Sequence, residues 1–315
     1  MARARRGDLV DGVLLLDKPS GITSNLALQR SRRLLNAAKA GHTGTLDPLA
    51  SGLLPLTFGE ATKFSQDLLD ADKSYEATIL FGVTTTTGDA EGETLATRTV
   101  DFTGEQLDAV LLRFSGTIEQ VPPMHSALKK DGRALYRYAR QGIEIERDAR
   151  TVTIHRLELL ERDGTSARVA LDCSKGTYVR ALAADIGAAL GCGAHLAALR
   201  RTRVGAFVLE RAVTLAALET MPAAVRREWL LPVDALIESL PRIELDEERA
   251  DRLRHGQQLH VEREAPSLAL PRLRGRDGVG AAAARVRLYC GTRLLGVASI
   301  DENGRLSPQR LISTG

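Results

Sequence analysis

The chain alternates between short apolar runs and clusters of turn-forming residues. In DGVLLLDKPSG, positions 13–16 are continuously apolar and KPSG follows, which predicts a buried strand ending in a turn. Ser24 predicts the N-cap of a helix reaching about residue 38, with Arg30, Arg32, Arg33 and Lys39 forming a basic flank. SGLLPLTFG is strand-like, and in GEATKFSQDLLD the residues Ala61, Phe64 and Leu68 recur at helical spacing. Residues 74–83 alternate, so Tyr75, Ala77, Ile79 and Phe81 share one strand face with Tyr75 at its entrance. The polar TTTTGDAEGE predicts a loop. Thr103 and Gln106 form a capping box for a helix running to about residue 114.

Between residues 120 and 150 the pattern becomes irregular and basic (VPPMHSALKKDGRALYRYARQG), predicting a mobile excursion from the core over 122–150. RTVTIHRLEL and SARVALDCS predict paired strands around a turn at 162–165. An SKG turn leads into the helix TYVRALAADIGAALG, ended by Gly191, and AHLAALRRTRVGAFVL supplies further strand. Strands and helices mix without a βαβ rhythm, which argues for an α+β fold whose mixed, mainly antiparallel sheet is flanked by helices. Prolines over 232–242 mark a boundary. Beyond it, ARVRLYCGTRLLGVASIDENGRLS predicts two strands joined at Gly291 and Thr292, then a turn at Asn303 and Gly304. The expected division is therefore 1–240 and a small β domain at 241–315, with 266–284, rich in Arg, Gly and Ala, as a loop.

Composition narrows the function classes only slightly. With 43% hydrophobic and 26% charged residues over 315 positions, the chain has a globular profile. No apolar run approaches the roughly 20 residues of a bilayer span, and the four-residue run near the start is too short for a secretory signal. Three cysteines without metal-ligand spacing suit reduced thiols and a cytoplasmic location. The net charge of +3 is mild, but 36 of the 43 basic residues are arginines, a bias that suits oxyanion recognition and that GC-rich coding also produces.

The sequence contains no phosphate-binding P-loop, no G-x-G-x-x-G after a strand, no H-E-x-x-H and no G-x-S-x-G. What remains is a carboxylate, Asp47, in the turn GHTGTLDPLA, with His42 five residues before it. Tyr75 and Tyr178 stand at element starts, and Arg180 opens a helix with Asp185 nearby. Singly, each has an ordinary structural explanation: a turn residue, a satisfied histidine, two core-edge rings and a surface ion pair.

In combination they become recognisable. DGVLLLDKPSGITSN, GHTGTLDPLASGLLPL, GEATKFSQ, DKSYEA, YARQGIE and CSKGTYVR…LGCGAHLAALRR, in that order from about residue 11 to residue 218, resemble the TruB-type tRNA pseudouridine-55 synthases. The C-terminal β segment is similar in placement to the PUA-type RNA-binding domain of those enzymes. The resemblance implies isomerisation of a uridine in the TΨC loop of tRNA to pseudouridine, with tRNA as partner. It implies no cofactor, no membrane, no obligatory protein partner and a monomer. Asp47 would be the essential carboxylate, attacking base or sugar or removing a sugar proton. Arg180 would be its partner cation and Tyr75 the ring stacked on the base. Tyr178 and Leu199 would line the pocket, and His42 would fill the space the base vacates. Lys18, Lys63, Lys129, Lys130 and Arg140 are the expected phosphate contacts, with 122–150 closing over the tRNA arm. His125, in PPMHSALK, stands where many relatives carry tyrosine. Two rivals remain at this stage, a tRNA-folding chaperone without catalysis and a guide-RNA-dependent relative.

Overall fold

The computed structural model describes residues 7–261 and 283–313. In chain order its first half contains β1 (Gly12–Lys18), α1 (Ser24–Leu34), β2 (Ala40–His42), β3 (Ser51–Phe58), a 3-10 turn (Gly59–Phe64) running into α2 (Ser65–Leu69), β4 (Lys73–Phe81), β5 (Val83–Thr85), β6 (Thr94–Thr97), α3 (Gly104–Arg113) and β7 (Gly116–Gln120). The excursion carries β8 (Lys129–Lys130), β9 (Arg133–Ala134) and α4 (Leu135–Ala139). There follow β10 (Arg150–Asp163), β11 (Ser166–Cys173), α5 (Val179–Ala189), β12 (Ala194–Val204), β13 (Phe207–Val208), β14 (Val213–Thr214), α6 (Leu215–Thr220), α7 (Ala223–Glu228) and β15 (Leu230–Leu231). The C-terminal part consists of β16 (Arg242–Glu244), α8 (Glu247–Arg254), β17 (Leu259–His260), β18 (Ala284–Cys290), β19 (Arg293–Ile300) and β20 (Arg305–Leu311).

An 11-stranded sheet runs in the order β14-β1-β3-β12-β4-β11-β10-β7, with β2, β13 and β15 paired alongside. Its pairings are antiparallel except β1 with β14 and β3 with β12. A separate five-stranded sheet, β16-β18-β19-β20-β17, forms the C-terminal part. The fold is thus α+β with an appended β unit.

The unbroken apolar run of β1 follows from burial on both faces. Leu14 and Leu16 join a core with Leu54, Leu56 and Phe58 of β3 beneath α1 and α6. Val13 and Leu15 point the other way, into a core shared with Phe64, Leu68, Ile237 and the C-terminal residues Tyr289, Leu294 and Val297. A third core packs Ala77, Ile79 and Phe81 of β4 against α3 and α5. Tyr75 and Leu199 touch both the first and the third core, so they stand at the seam between them.

Three local features differ from expectation. Thr23, not Ser24, caps α1: its backbone is extended and its Oγ1 accepts from the Leu26 N–H at 3.1 Å, which leaves Ser24 already helical. The helix stops at Leu34, short of residue 38, because Asn36 turns left-handed at φ 50°. The polar stretch after β4 is not wholly loop, since β5 and β6 pair across it. The capping box at Thr103 and Gln106 is present, and Gly191 terminates α5 at φ 78°. The expected loop 266–284 lies outside the described residues except at its end.

One glycine is required by the sheet itself. Gly52 has φ 97° and pairs with Arg201 of β12, and a Cβ there would stand 2.3 Å from the Arg201 carbonyl oxygen. Gly52→Ala is expected to destabilise the protein by about 3 kcal/mol, combining left-handed strain with a backbone clash. A urea unfolding midpoint equal to that of the parent would contradict this.

Candidate active site

The turn 41–50 is fastened at several points before its carboxylate does anything. Ser24, released from capping, donates its Oγ to the Leu46 carbonyl at 2.9 Å and accepts the Leu46 N–H at 2.8 Å. The Pro48 carbonyl accepts from the Gly21 N–H at 2.8 Å, and the Asp47 carbonyl accepts from the Ala50 N–H at 3.1 Å. The Asp-Pro bend thereby projects the Asp47 side chain into a cavity of about 590 Å³.

Arg180 meets it there. This residue lies in the first turn of α5 and is only 5% exposed. Its Nε contacts Asp47 Oδ2 at 3.0 Å, and Nη1 lies 3.5 Å from Asp89 Oδ2. Nη1 also donates to the Thr87 carbonyl at 3.1 Å, and Nη2 donates to the His125 carbonyl at 2.7 Å. The surface ion pair with Asp185 that the helix pattern suggests does not form. Asp89 is 2% exposed and accepts from Thr87 Oγ1 and the Glu91 N–H.

The two carboxylates differ in exposure, since the Asp47 side chain keeps 40% of its surface open. Burial nevertheless pushes its carboxyl above the ordinary carboxylate range. Arg180 and Lys18 pull it down, while Asp89 reinforces the rise.

Tyr75, Tyr178, Leu199, Arg201, Tyr136 and Arg140 also line the cavity. Tyr178 is set by Gln120 of β7, whose side-chain amide accepts from the Tyr178 N–H at 2.7 Å and donates to its carbonyl at 3.1 Å. Burial raises both phenols above the usual tyrosine range. Among the described residues no group of three or more His, Cys, Asp or Glu is arranged to hold a metal ion. Nor, among these residues, is any helix long and apolar enough to cross a membrane. Such a site, an open carboxylate sharing a buried cation with a second, enclosed carboxylate beside aromatic walls, suits nucleophilic or acid–base chemistry on a planar ring.

Residues 32–179 match the family described as TruB family pseudouridylate synthase (N terminal domain). Residues 180–238 match the tRNA pseudouridylate synthase B C-terminal domain, and residues 241–312 match Pseudouridine synthase II TruB, C-terminal. A protein from Aromatoleum aromaticum named tRNA pseudouridine synthase B is 60% identical over 97% of this chain and 94% of its own length. One of the same name from Burkholderia lata is 58% identical over 97% and 91%. This chain belongs to the TruB family. Among solved structures, a chain of a Cbf5-Nop10-Gar1 complex shares 26% identity with a TM-score of 0.69, covering 96% of this chain and 85% of its own. A Nop10-Cbf5 complex of the archaeal box H/ACA sRNP gives 26% and 0.68, covering 99% and 92%.

Against the site expected of a TruB member, the structure gathers Asp47, Tyr75, Arg180, Tyr178, Leu199 and Arg140 around one cavity. His42 lies on β2, antiparallel to β3, and is not among the cavity-lining residues. Its ring is half-buried with Nδ1 unpartnered, and burial and Arg201 hold it below the usual histidine range. Lys129 and Lys130 are exposed on β8, and Lys130 Nζ donates to the Glu146 carbonyl at 3.1 Å.

Two expected phosphate contacts, Lys18 and Lys63, have partners within the protein. Lys18 is 0% exposed, with Nζ donating to the Pro19 and Ile22 carbonyls at 2.8 Å each. Its burial brings its pKa down to about 8. Both carbonyls come from the turn that follows β1. Lys63 is committed to Glu60 at 2.6 Å and to the Leu311 carbonyl at 2.8 Å, fastening the last strand to the 3-10 turn. Sequence reading missed Asp89, Gln120, Tyr136 and Arg201. Asp89 sits inside a polar stretch with no periodicity, and only the internal Tyr and Arg content of the excursion hinted at Tyr136.

Substituting the two carboxylates should separate their roles. The raised Asp47 value means that the folded state holds this proton more tightly than the unfolded chain, so the ionised group opposes folding at every pH above the unfolded value. At neutral pH Asp47→Asn is therefore expected to match or exceed the parent in stability. Asp89→Asn, which strips a buried counter-ion from Arg180, should cost about 3 kcal/mol. Thermal melts of both variants in one buffer check the ordering, and a less stable Asp47→Asn would contradict it.

Proposed function

We propose that this chain isomerises the uridine at position 55 in the TΨC loop of tRNA to pseudouridine. The observation carrying this reading is the Asp47–Arg180 ion pair in a cavity that Tyr75 and Leu199 also line. The closely similar proteins named tRNA pseudouridine synthase B support it. About 590 Å³ suits a single flipped nucleotide, given that small-ligand clefts span roughly 300–1,000 Å³.

In this reading the target base leaves its stack at a cost of a few kcal/mol, offset by stacking on Tyr75 worth roughly 1–3 kcal/mol. His42, next to the turn and outside the cavity, fills the vacated place. Asp47 acts on the sugar or the base as the bond between N1 and C1′ breaks. The uracil turns, C5 bonds to C1′, the C5 proton leaves and N1 gains a proton, so atoms balance without a redox partner. Arg180 keeps the carboxylate aimed and offsets its desolvation. Tyr178 and Leu199 confine the ring. Lys129, Lys130 and Arg140 of the excursion contact phosphates as 122–150 closes over the tRNA arm. Residues 1–240 form the catalytic domain and 241–315 a PUA-like RNA-binding domain. The enzyme works as a monomer in the cytoplasm without a protein partner.

Asp47→Asn should abolish pseudouridine formation while tRNA affinity stays within about twofold, because uncharged Asn fills the same space. Pseudouridine mapping of unmodified tRNA incubated with each purified protein reads the result. Modification by the Asn variant would refute the assignment of Asp47, and growth or tRNA-folding rescue by that variant would favour a chaperone role instead. The parent's rate should fall as acid protonates Asp47, with the midpoint of the acid limb of kcat/KM above the ordinary carboxylate value of 3.8. A flat profile down to pH 4 would contradict the raised value.

A further inference from the structure

Among the described residues Arg201 is the largest fully buried side chain, 2% exposed, and no carboxylate among them pairs with it. Buried guanidinium groups ordinarily require a counter-ion, so one without it calls for an explanation. The sheet register supplies one. On β12, Arg201 pairs with Tyr75 of β4 on one side and with Gly52 of β3 on the other. Its Nε donates to the Leu53 carbonyl at 2.7 Å, and Nη2 donates to the Gly44 carbonyl at 3.2 Å, inside the Asp47 turn. Tyr75, the direct cross-strand partner of Arg201, lines the same cavity, and the phenol and the guanidinium influence each other's ionisation. Leu199, two residues earlier on the same strand face, lines the cavity with both.

We infer that Arg201 is a positioning residue for the reaction proposed above, anchored by the Leu53 and Gly44 carbonyls and acting through the Tyr75 hydroxyl to fix the stacking ring relative to Asp47. The two carbonyls need only donors, which a neutral amide could supply. A cation is distinctive for the phenol: it obliges the Tyr75 oxygen to accept, which fixes the direction of its C–O bond and favours negative charge on that oxygen. The ring and the aspartate turn are then tied to one rigid planar fork, and the seam between two cores is held at the cavity wall.

This inference rests on the proposed function, and a double-mutant cycle tests the two separately. Arg201→Gln, Tyr75→Phe and the combination are compared with the parent by single-turnover pseudouridine formation, tRNA affinity and melting temperature. Arg201→Gln should slow the parent on the order of 10²-fold, as expected when a reacting geometry loosens, with affinity unchanged. In the Tyr75→Phe background the same change should cost less than about twofold, since the hydroxyl through which it acts is gone. Arg201→Lys should recover part of the rate. Equal losses in both backgrounds, or a loss that follows affinity or melting temperature, would overturn the inference. So would failure of both the Gln and Lys variants to fold, which would make Arg201 a folding residue only. An inactive parent on unmodified tRNA would instead overturn the proposed function, and this inference with it.

Discussion

The architecture of the cavity depends on the guanidinium of Arg180. Burying such a group without partners costs several kcal/mol, so its surroundings must supply anions and carbonyls in its plane. Here they come from the turn after β2 (Asp47), the segment after β5 (Thr87 and Asp89) and the excursion (His125). None of these segments pairs with another through a regular ladder at these positions. A single group in the first turn of α5 makes them converge.

Sharing one cation between two carboxylates creates an asymmetry that the fold exploits. Asp89 is enclosed, bonded to Thr87 and the Glu91 N–H, and serves as permanent counter-ion. Asp47 faces the cavity and feels opposing influences, of which burial is the strongest. Arg180 does pull Asp47 down, but burial outweighs it and Asp89 adds its own repulsion. The outcome is a more basic carboxylate, which is a better base and a better nucleophile than an ordinary one.

Much of this was legible in the chain, because the informative parts are local. GHTGTLDPLA announces a rigid turn with a carboxylate, the alternation around Tyr75 gives its strand face, and T-x-x-Q at Thr103 gives a helix start. Illegible parts depended on distant partners. Arg180 within TYVRALAAD has the pattern of an exposed helical arginine; the family resemblance alone implied its pairing with Asp47, and nothing nearby reveals its second carboxylate, Asp89. The internal partners of Lys18 and Lys63 were illegible for a related reason: a lysine's charge suggests solvent or phosphate, whereas its ammonium donors are also satisfied by carbonyls that a tight turn or a remote strand end delivers. Thr23 and Ser24 both have capping chemistry, and only the backbone dihedral decides between them.

The two faces of β1 connect the cavity to the C-terminal sheet. On one face Leu14 and Leu16 support α1, whose Ser24 clamps the Asp47 turn. On the other, Val13 and Leu15 pack in the core that holds Tyr289, Leu294 and Val297. Polar ties reinforce that second contact: Lys63 with the Leu311 carbonyl, Arg285 with Asp67, and the Tyr289 hydroxyl with Asp234. Because side chains on a strand alternate, a shift of β1 by one residue would exchange these two sets and undo both contacts at once. The register that aims the carboxylate is therefore the register that seats the C-terminal sheet, and any surface that sheet presents stands at a fixed distance from Asp47.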